Sequence, residues 1–404
     1  MNSTPIQNPV ERPWDGWLLV IVCMLIGLGV VMIYSASGIT ASWNMGDAMF
    51  FLKRQLIYVG IGFGLLLFGM KVDYRFYQRH AYLILAGIVI LLLIVLFAGT
   101  VVNGSRRWIR LAFFNIQPAE IAKIGISFVL AYSLAKKQDQ IKSFSIGILP
   151  HILLVGVIVG LLMGQPDFGS SVLVTTLTGA MLFFAGTKLT YIIAGIGICA
   201  GCGTLAIVTA SYRMKRVLAF LDPWANQASD GYQLTESLAS IASGGLSGRG
   251  LGEGLGKLGF VPELHTDFIG TAIAEELGIF GIIIVLALYV AFASRGFLIA
   301  MRARDYFGRY VAFGLTFVIT LQSATNLCVI SGLMPTKGLT LPFISFGGSS
   351  LLMCMFATGV LLNISKCSED KYALRYARNQ VEKERNAWAK KRERILKERE
   401  ELQI

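Results

Sequence analysis

The feature that most constrains this chain is a series of uninterrupted apolar stretches of roughly 17 to 25 residues, the length of helix that crosses a lipid bilayer. Ten such stretches are present, at 17–37, 54–70, 81–102, 116–135, 146–164, 169–186, 189–210, 268–293, 310–330 and 344–364. Only α-helices and closed β-barrels satisfy backbone hydrogen bonds in lipid, and runs this long indicate helices. The predicted fold class is all-α: a polytopic membrane protein with about ten transmembrane helices and one large extracytoplasmic loop.

Composition supports this fold class. Hydrophobic residues make up 55% of the chain and charged residues only 15%, whereas a typical soluble domain carries about 25% charged residues. No signal peptide is evident, because the first apolar stretch is too long for a signal core. We expect a cytoplasmic N-terminal segment (1–16), helices one to seven (17–210), a large extracytoplasmic loop with an interfacial helix and a Gly-rich segment (211–267), helices eight to ten (268–364) and a charged cytoplasmic tail (365–404).

The distribution of positive charge predicts the orientation. Ten spans place both termini on one side of the membrane. The segment after residue 364 holds 12 of the 36 Lys and Arg residues, and the short loops on that side hold eleven more, against six in the short loops opposite. Since short cytoplasmic loops are enriched in Lys and Arg, both termini are predicted to be cytoplasmic.

Cations also occur on the predicted outer side. Arg106 and Arg107 precede the fourth span, where they suit an anionic, membrane-attached ligand such as a pyrophosphate. The alternative is that they are interfacial anchors. Lys123 lies more than a turn inside the fourth span, and an intramembrane lysine is a functional candidate. Its alternative role is a structural pair with Glu120, three residues earlier on the same helix face.

Ionisable groups mark the boundary of the eighth span. The stretch 259–278 reads GFVPELHTDFIGTAIAEELG, in which Glu263, His265 and Asp267 precede the apolar run. A desolvated carboxylate is a stronger base, and the bilayer edge provides that setting. Asp267 is therefore a candidate functional carboxylate, with Glu263, His265 and Asp167, at the start of the sixth span, as candidate substrate-binding residues. For Asp267 and Asp167 the alternative is an N-cap.

Two other features of this region point away from other enzyme classes. Helical geometry directs Glu275 and Glu276 away from Asp267, which disfavours a paired-carboxylate glycosidase. Residues Gly254–Gly259 match GxGxxG, but no strand precedes them and the loop is predicted to be extracytoplasmic, so no nucleotide is expected. Tight or flexible backbone near a bulky polar substrate is the preferred interpretation.

Seven motifs, in order, resemble those of the SEDS family (shape, elongation, division and sporulation). They are NGSRRWI, QPAEIAK, QPDFGSS, FLDPW, SGGLSGRGLG, VPELHTDFIGTAIAEELG and PTKGLTLPFISFGGSS. The match covers essentially all ten spans. The PTKG segment at Pro335–Gly338 is more similar to the division branch of the family than to its elongation branch.

The resemblance implies a peptidoglycan glycosyltransferase of the bacterial cytoplasmic membrane, acting at the division septum on lipid II and an undecaprenyl-pyrophosphate-linked glycan. It further implies a class B penicillin-binding protein and other division proteins as partners, and no nucleic acid. The family's catalytic aspartate lies in its His-Thr-Asp-Phe motif and corresponds to Asp267, so the resemblance implies that Asp267 is the catalytic base. Arg106, Arg107, Lys123 or a divalent cation, Mg²⁺ or Mn²⁺, would stabilise the leaving pyrophosphate.

Three alternatives stay open at this point. A lipid II flippase would explain Lys123, Glu275 and Glu276 within spans, since transporters place ionisable groups there, although the hydropathy pattern shows no inverted repeat. An elongation-type polymerase is a second alternative. A non-catalytic scaffold with a charged tail is the third, and it leaves Asp267 without a role.

Overall fold

The structure, a computed structural model, describes residues 14–102, 105–110 and 115–366. Most of the predicted N-terminal segment (1–16) and nearly all of the predicted charged tail (365–404) lie outside the described residues.

Helices dominate the described part of the chain. These helices are α1 (Gly16–Met45), α2 (Phe50–Lys71), α3 (Arg75–Arg79), α4 (Ala81–Ala98), α5 (Pro118–Lys136), α6 (Leu149–Gly164), α7 (Phe168–Phe184), α8 (Leu189–Val208), α9 (Ser211–Leu221), α10 (Tyr232–Gly244), α11 (Ile269–Arg302), α12 (Tyr306–Ile330) and α13 (Gly348–Lys366). Nine of them are long and apolar enough to cross a membrane, counting the π-helical turn Phe144–Ile148 with α6, and α7 is a shorter apolar helix. The predicted all-α fold with about ten spans is confirmed within these residues.

The helices differ in how much of their surface the protein covers. Most of α5, α12 and α13 is buried inside the bundle, whereas α8 has no buried residue. Helices in lipid gain little from apolar burial against each other, so close packing at small residues holds them together. Accordingly, α2 and α13 approach through Gly69 and Gly359: a Cβ on Gly69 would lie 2.9 Å from the carbonyl oxygen of Phe356, and one on Gly359 would meet the carbonyl of Leu66.

A small antiparallel sheet interrupts the helical pattern between α4 and α5. Strands β1 (Thr100–Val102), β2 (Ser105–Arg110) and β3 (Asn115–Ile116) lie in the order β1-β2-β3. The sequence analysis predicted apolar helix up to residue 102 and a loop beyond it, because strands this short and charged carry no clear alternation. The sheet fixes the position of Arg107 beside the start of α7.

The long loop before α11 contains two helices. The first, α9, was not predicted. The second, α10, contains the predicted interfacial segment, but it also packs against the bundle, because the hydroxyl of Ser237 lies 2.6 Å from that of Thr271 on α11 and donates to the carbonyl of Ile330 on α12 at 3.2 Å. The chain then turns at residues 263–268 and enters α11, which breaks at Gly278, where φ is 68° and ψ is −162°.

Candidate functional site

The candidate base stands on a tight turn at the start of α11. The carbonyl oxygen of Glu263 accepts hydrogen bonds from the backbone N–H groups of Thr266 (3.1 Å) and Phe268 (3.3 Å). To reach this geometry Glu263 adopts a φ of 53°, a left-handed conformation that residues other than glycine rarely take and that often occurs at functional sites. The turn places Asp267 immediately before Phe268, the N-cap residue of α11.

The carboxylate of Asp267 does not cap α11, so the capping alternative is wrong for this residue. The N-cap position is Phe268, and no side chain accepts a hydrogen bond from the first turn. Among the described residues, no group donates a hydrogen bond to the carboxylate of Asp267, which is partly exposed. Burial, reinforced by the nearby charge of Glu263, raises the pKa of Asp267 to about 7, against the opposing effect of Arg216 and Arg107. A carboxylate with this pKa is suited to accept a proton near neutral pH.

The segment 335–340, which includes the PTKG motif, lies directly against this carboxylate. A Cβ on Gly338 would lie 3.2 Å from Oδ2 of Asp267. Asn326 of α12 ties the segment to the base: its Nδ2 donates to the carbonyl of Asp267 at 2.8 Å and to that of Leu339 at 2.6 Å. Asn326 was not identified from the sequence, where it is one polar residue in an apolar span.

Two arginines from different elements act electrostatically on the same carboxylate. Arg107 of β2 donates from Nε to the carbonyl of Gln165 at 3.3 Å and from Nη2 to the carbonyl of Pro166. Arg216 of α9 donates from Nη1 to the carbonyl of Thr336 at 3.4 Å. Both guanidinium groups lower the pKa of Asp267. Arg107 was a predicted site residue, whereas Arg216 was missed because it lies 51 positions from Asp267 in a stretch that was assigned to loop.

His265 anchors the turn to the bundle. Its ring centroid lies 4.3 Å from that of Phe51 on α2 and 5.8 Å from that of Phe346, and its carbonyl accepts a hydrogen bond from the N–H of Phe346 at 3.0 Å. Burial lowers the pKa of His265, and the nearby charge of Glu263 only partly opposes this. The imidazole is therefore neutral at pH 7 and fixes the position of Asp267, two residues on. Substrate binding by His265 and Glu263 stays a prediction.

The other predicted site residues have structural partners. Lys123 is fully buried, and its Nζ lies 2.7 Å from Glu120 and 2.6 Å from the side-chain oxygen of Gln322, so the structural-pair alternative describes it better than an open phosphate site. Asp167 caps α7, since its Oδ1 accepts from the N–H of Ser170 at 3.1 Å. Arg106 is exposed and donates to the carbonyl of Phe97 at 3.4 Å, which is the arrangement of an interfacial anchor.

Glu275 and Glu276 face the Gly-rich segment and not Asp267, as helical geometry predicted. The carboxylate of Glu275 accepts from the N–H of Leu255 at 2.7 Å, and that of Glu276 accepts from the N–H of Gly252 at 3.1 Å and from the hydroxyl of Ser35. Both carboxylates are buried. The segment is therefore tightly held backbone, folded over two acidic side chains.

A cavity of about 570 Å³ lies beside this segment, lined by residues of α1 and by Leu251, Gly252 and Lys257. It borders the Glu276 side of the loop, and Asp267 is not among its lining residues. Lys257 already lies 3.9 Å from the carboxylate of Glu276, so the cavity offers no uncompensated cation to an anionic substrate.

A divalent cation would find partial ligation at the base. Within the described residues, no group of three or more His, Cys, Asp or Glu side chains is arranged to hold a metal ion. Asp267 and Glu263 nevertheless place two carboxyl groups in one region. Magnesium is commonly held by one or two carboxylates together with water and substrate phosphates, so these residues fit a cation that binds with a pyrophosphate.

The chain is similar in sequence to a known family of membrane proteins. Residues 16–370 match the family of FtsW, RodA and SpoVE described as "Cell cycle protein". The chain is 42% identical over 358 residues to the probable peptidoglycan glycosyltransferase FtsW of Geobacter metallireducens, covering 88% of this chain and 95% of that protein. It is 39% identical over 369 residues to the protein of the same name from Coxiella burnetii, covering 90% and 99% of the two chains.

Two solved structures share the fold. One comes from a study of structural coordination of polymerization and crosslinking by a peptidoglycan synthase complex, and it matches with a TM-score of 0.74 and 28% identity over 87% of this chain and 98% of that one. The other is the rod shape determining protein RodA of Thermus thermophilus, with a TM-score of 0.67 and 27% identity over 90% of this chain and 100% of that one.

Proposed function

Because the chain belongs to the FtsW, RodA and SpoVE family of cell cycle proteins, we propose that it polymerises lipid II into glycan strands with Asp267 as the general base. Peptidoglycan glycosyl transfer is the activity for which its FtsW relatives are named, and they match along nearly their whole length, so this chain is a peptidoglycan glycosyltransferase. The substrate, the residue roles and the septal location are the proposal. The observation that carries it is the partly buried Asp267 carboxylate, which caps no helix and has a pKa of about 7.

The chemistry follows from the position of this carboxylate. The 4-hydroxyl of the GlcNAc in lipid II attacks the anomeric carbon of the MurNAc that ends the growing strand. A carbon–oxygen bond forms, the bond between that carbon and the pyrophosphate oxygen breaks, and the hydroxyl proton passes to Asp267. The leaving undecaprenyl pyrophosphate needs cations and no acid, because it is already a stable anion. Arg107 supplies one positive charge beside the base.

The acceptor must meet Asp267 at a fixed distance for this transfer to be fast. The turn at residues 263–268 and the Asn326 hydrogen bonds to Asp267 and Leu339 hold the base without occupying its carboxylate. Both substrates are anchored in lipid, so their sugars stand at the membrane surface, where the start of α11 lies. A divalent cation bound to the pyrophosphate would add Lewis-acid stabilisation of the leaving group.

The flippase alternative loses the groups that motivated it. Lys123 is paired with Glu120, while Glu275 and Glu276 bind backbone N–H groups of the Gly-rich segment. These contacts satisfy the intramembrane charges structurally and leave no series of free ionisable groups among them for transport.

A class B penicillin-binding protein, which crosslinks the new strands, is part of the proposal, together with other division proteins. The support is the similarity to a chain from a peptidoglycan synthase complex that combines polymerization and crosslinking. We also propose the bacterial cytoplasmic membrane as the location, with Asp267 on the outer face.

The test is the Asp267→Asn variant of the full chain, assayed with labelled lipid II with and without the transpeptidase partner. Asparagine has nearly the same shape but takes up no proton near neutral pH, so we expect a folded protein whose polymerisation falls by about 100- to 10,000-fold. Gel analysis of strand length measures the loss.

Asp230→Asn is the matched control, since Asp230 is exposed in the same long loop and we expect it to retain wild-type activity. Glycan strands from Asp267→Asn at close to the wild-type rate would remove Asp267 as the base and direct attention to Glu263.

A further inference from the structure

A second cationic side chain reaches the candidate active site from an element to which the sequence analysis gave no role. Helix α9 carries Arg213, Lys215 and Arg216 on a helix whose Leu218 and Leu221 are 52% and 70% exposed. Exposed leucines on a basic amphipathic helix are typical of a helix lying in a membrane interface. At this depth α9 would lie beside phosphate groups of a lipid-linked substrate.

The residues of α9 face different directions. Arg213 and Arg216 are three apart and therefore share a helix face. Arg213 lies over the ring of Phe168 at the start of α7, 5.4 Å from its centroid, and Arg216 donates to the carbonyl of Thr336. Lys215 is exposed and about 100° away around the helix. Of the two exposed cations of α9, Lys215 and Arg216, only Arg216 is directed at the segment that contacts Asp267.

Most hydrogen-bond donors of the Arg216 guanidinium have no partner among the described residues. Its one hydrogen bond to a described residue is the 3.4 Å contact to Thr336, which leaves most of its five donors available. Among the described residues, no carboxylate lies within 4.0 Å of Arg216 or Arg107, whereas Lys123 and Lys257 each have an acidic partner. The two arginines that lower the pKa of Asp267 thus carry charges that no described carboxylate compensates in an ion pair.

From this arrangement we propose that Arg216 and Arg107 form a two-arginine clamp for the pyrophosphate of the lipid-linked glycosyl donor. The proposal rests on the proposed function and adds a residue and a binding mode to it. A guanidinium presents a planar fork that matches phosphate oxygens bidentately, so two of them suit a diphosphate better than a monophosphate. Each phosphate would take one fork, one from β2 and one from α9.

The clamp also has a catalytic consequence. As the bond between the anomeric carbon and the pyrophosphate oxygen breaks, negative charge grows on that oxygen, and fixed cations stabilise it without reorganisation. Backbone carbonyl groups hold both guanidinium groups in place: Arg107 donates to Gln165 and Pro166, and Arg216 donates to Thr336. The remaining donors of the two arginines are therefore oriented before substrate binds.

The experiment uses the full chain in nanodiscs with its transpeptidase partner and lipid II as substrate. Farnesyl pyrophosphate and farnesyl phosphate serve as probes of the leaving-group site. In the wild type, the pyrophosphate should inhibit polymerisation more strongly than the monophosphate. In Arg216→Gln, inhibition by the pyrophosphate should weaken about 10- to 100-fold, the usual effect of losing a charge-assisted hydrogen bond, and the preference between the probes should shrink.

Two further variants separate binding from structure. Lys215→Gln removes a positive charge from the preceding residue. Farnesyl pyrophosphate should inhibit this variant as strongly as it inhibits the wild type. Arg216→Lys keeps the charge but loses the fork, so the preference for pyrophosphate should fall while thermal stability stays at the wild-type value. If Arg216→Gln does not fold, the preference of Arg216→Lys for pyrophosphate over monophosphate tests the clamp.

Unchanged inhibition by farnesyl pyrophosphate in the Arg216 variants would overturn the clamp, because a purely structural Arg216 would alter stability or turnover and not inhibitor preference. If the wild type polymerises lipid II and the Arg216 variants show this unchanged inhibition, the proposed function stays intact. A wild type that makes no glycan even with its partner would instead count against the proposed function.

Discussion

At the residue scale, the chemistry depends on how three ionisable side chains act on one carboxylate. Burial and Glu263 raise the pKa of Asp267, while Arg216 and Arg107 lower it. These charged groups come from the turn itself, from α9 and from β2. The balance places the pKa at about 7, where an aspartate is a far stronger base than one with the usual value near 4.

The pH dependence of polymerisation should report this balance. A general base acts in its ionised form, so kcat/KM should rise with pH and reach half its plateau near pH 7. In Glu263→Gln, a negative charge that raises the pKa is lost, so the rise should move to lower pH. Rates measured from pH 5 to 9 with lipid II as substrate test this.

The opposite shift serves as an internal check. Arg107→Gln removes a positive charge that lowers the pKa of Asp267, so its rise should move to higher pH. A profile whose acidic limb lies at the same pH in the wild type and in both variants would contradict Asp267 as the titrating base.

At the element scale, the break in α11 links the membrane helix to the Gly-rich segment. The carbonyls of Glu275 and Glu276 accept hydrogen bonds at 3.0 Å from the N–H groups of Arg249 and Gly250, and the N–H of Ile279 donates to the carbonyl of Gly245 at 3.1 Å. Backbone groups freed by a broken helix must find partners where water is scarce. The Gly-rich segment supplies them, and its glycines permit the close approach.

Gly278→Ala should weaken this connection. Gly278 has a conformation that is essentially restricted to glycine, and a Cβ there would meet the carbonyl of Leu246 and the N–H of Gly248. We expect a loss of about 1–3 kcal/mol in local stability. Faster trypsin cleavage after Arg249, measured on the protein in detergent, would report the release of the segment.

Gly197→Ala is the matched control, because a Cβ on this glycine of α8 meets nothing within 4 Å. It should cleave at the wild-type rate and melt at or slightly above the wild-type temperature. Equal cleavage in both variants would show that the pairing at Gly278 does not hold the segment.

At the scale of the whole molecule, the proposed polymerisation requires Asp267 to face the outer side of the membrane. The positive charge in short loops predicts cytoplasmic termini and an extracytoplasmic loop at 211–267. Gln227 lies exposed in that loop, and Arg304 lies exposed in the connection between α11 and α12, at the opposite end of α11.

Cysteine labelling tests the orientation. In a background without the six native cysteines, Gln227→Cys should react with a membrane-impermeant thiol reagent on intact spheroplasts, and Arg304→Cys should react only after lysis. The reverse pattern would place Asp267 in the cytoplasm, away from any outer-face polymerisation.

The membrane fold and the ten apolar stretches could be predicted from the sequence alone, and Asp267 could be proposed from it as the base. These follow from local properties: apolar length is sufficient to identify a helix in lipid, and a carboxylate at a helix boundary is visible without knowing its neighbours. The PTKG segment likewise indicated the division branch, in agreement with the FtsW relatives.

The surroundings of Asp267 could not be predicted from the sequence and became visible in the folded chain. Whether Asp267 caps a helix depends on the turn at residues 263–268, and whether Lys123 binds a phosphate or Glu120 depends on the packing of α5 against Gln322 of α12. Arg216 and Asn326 act on the site across 51 and 59 positions of chain. Such contacts arise from how helices pack, which hydropathy and spacing along one helix do not encode, because both describe a segment before it has neighbours.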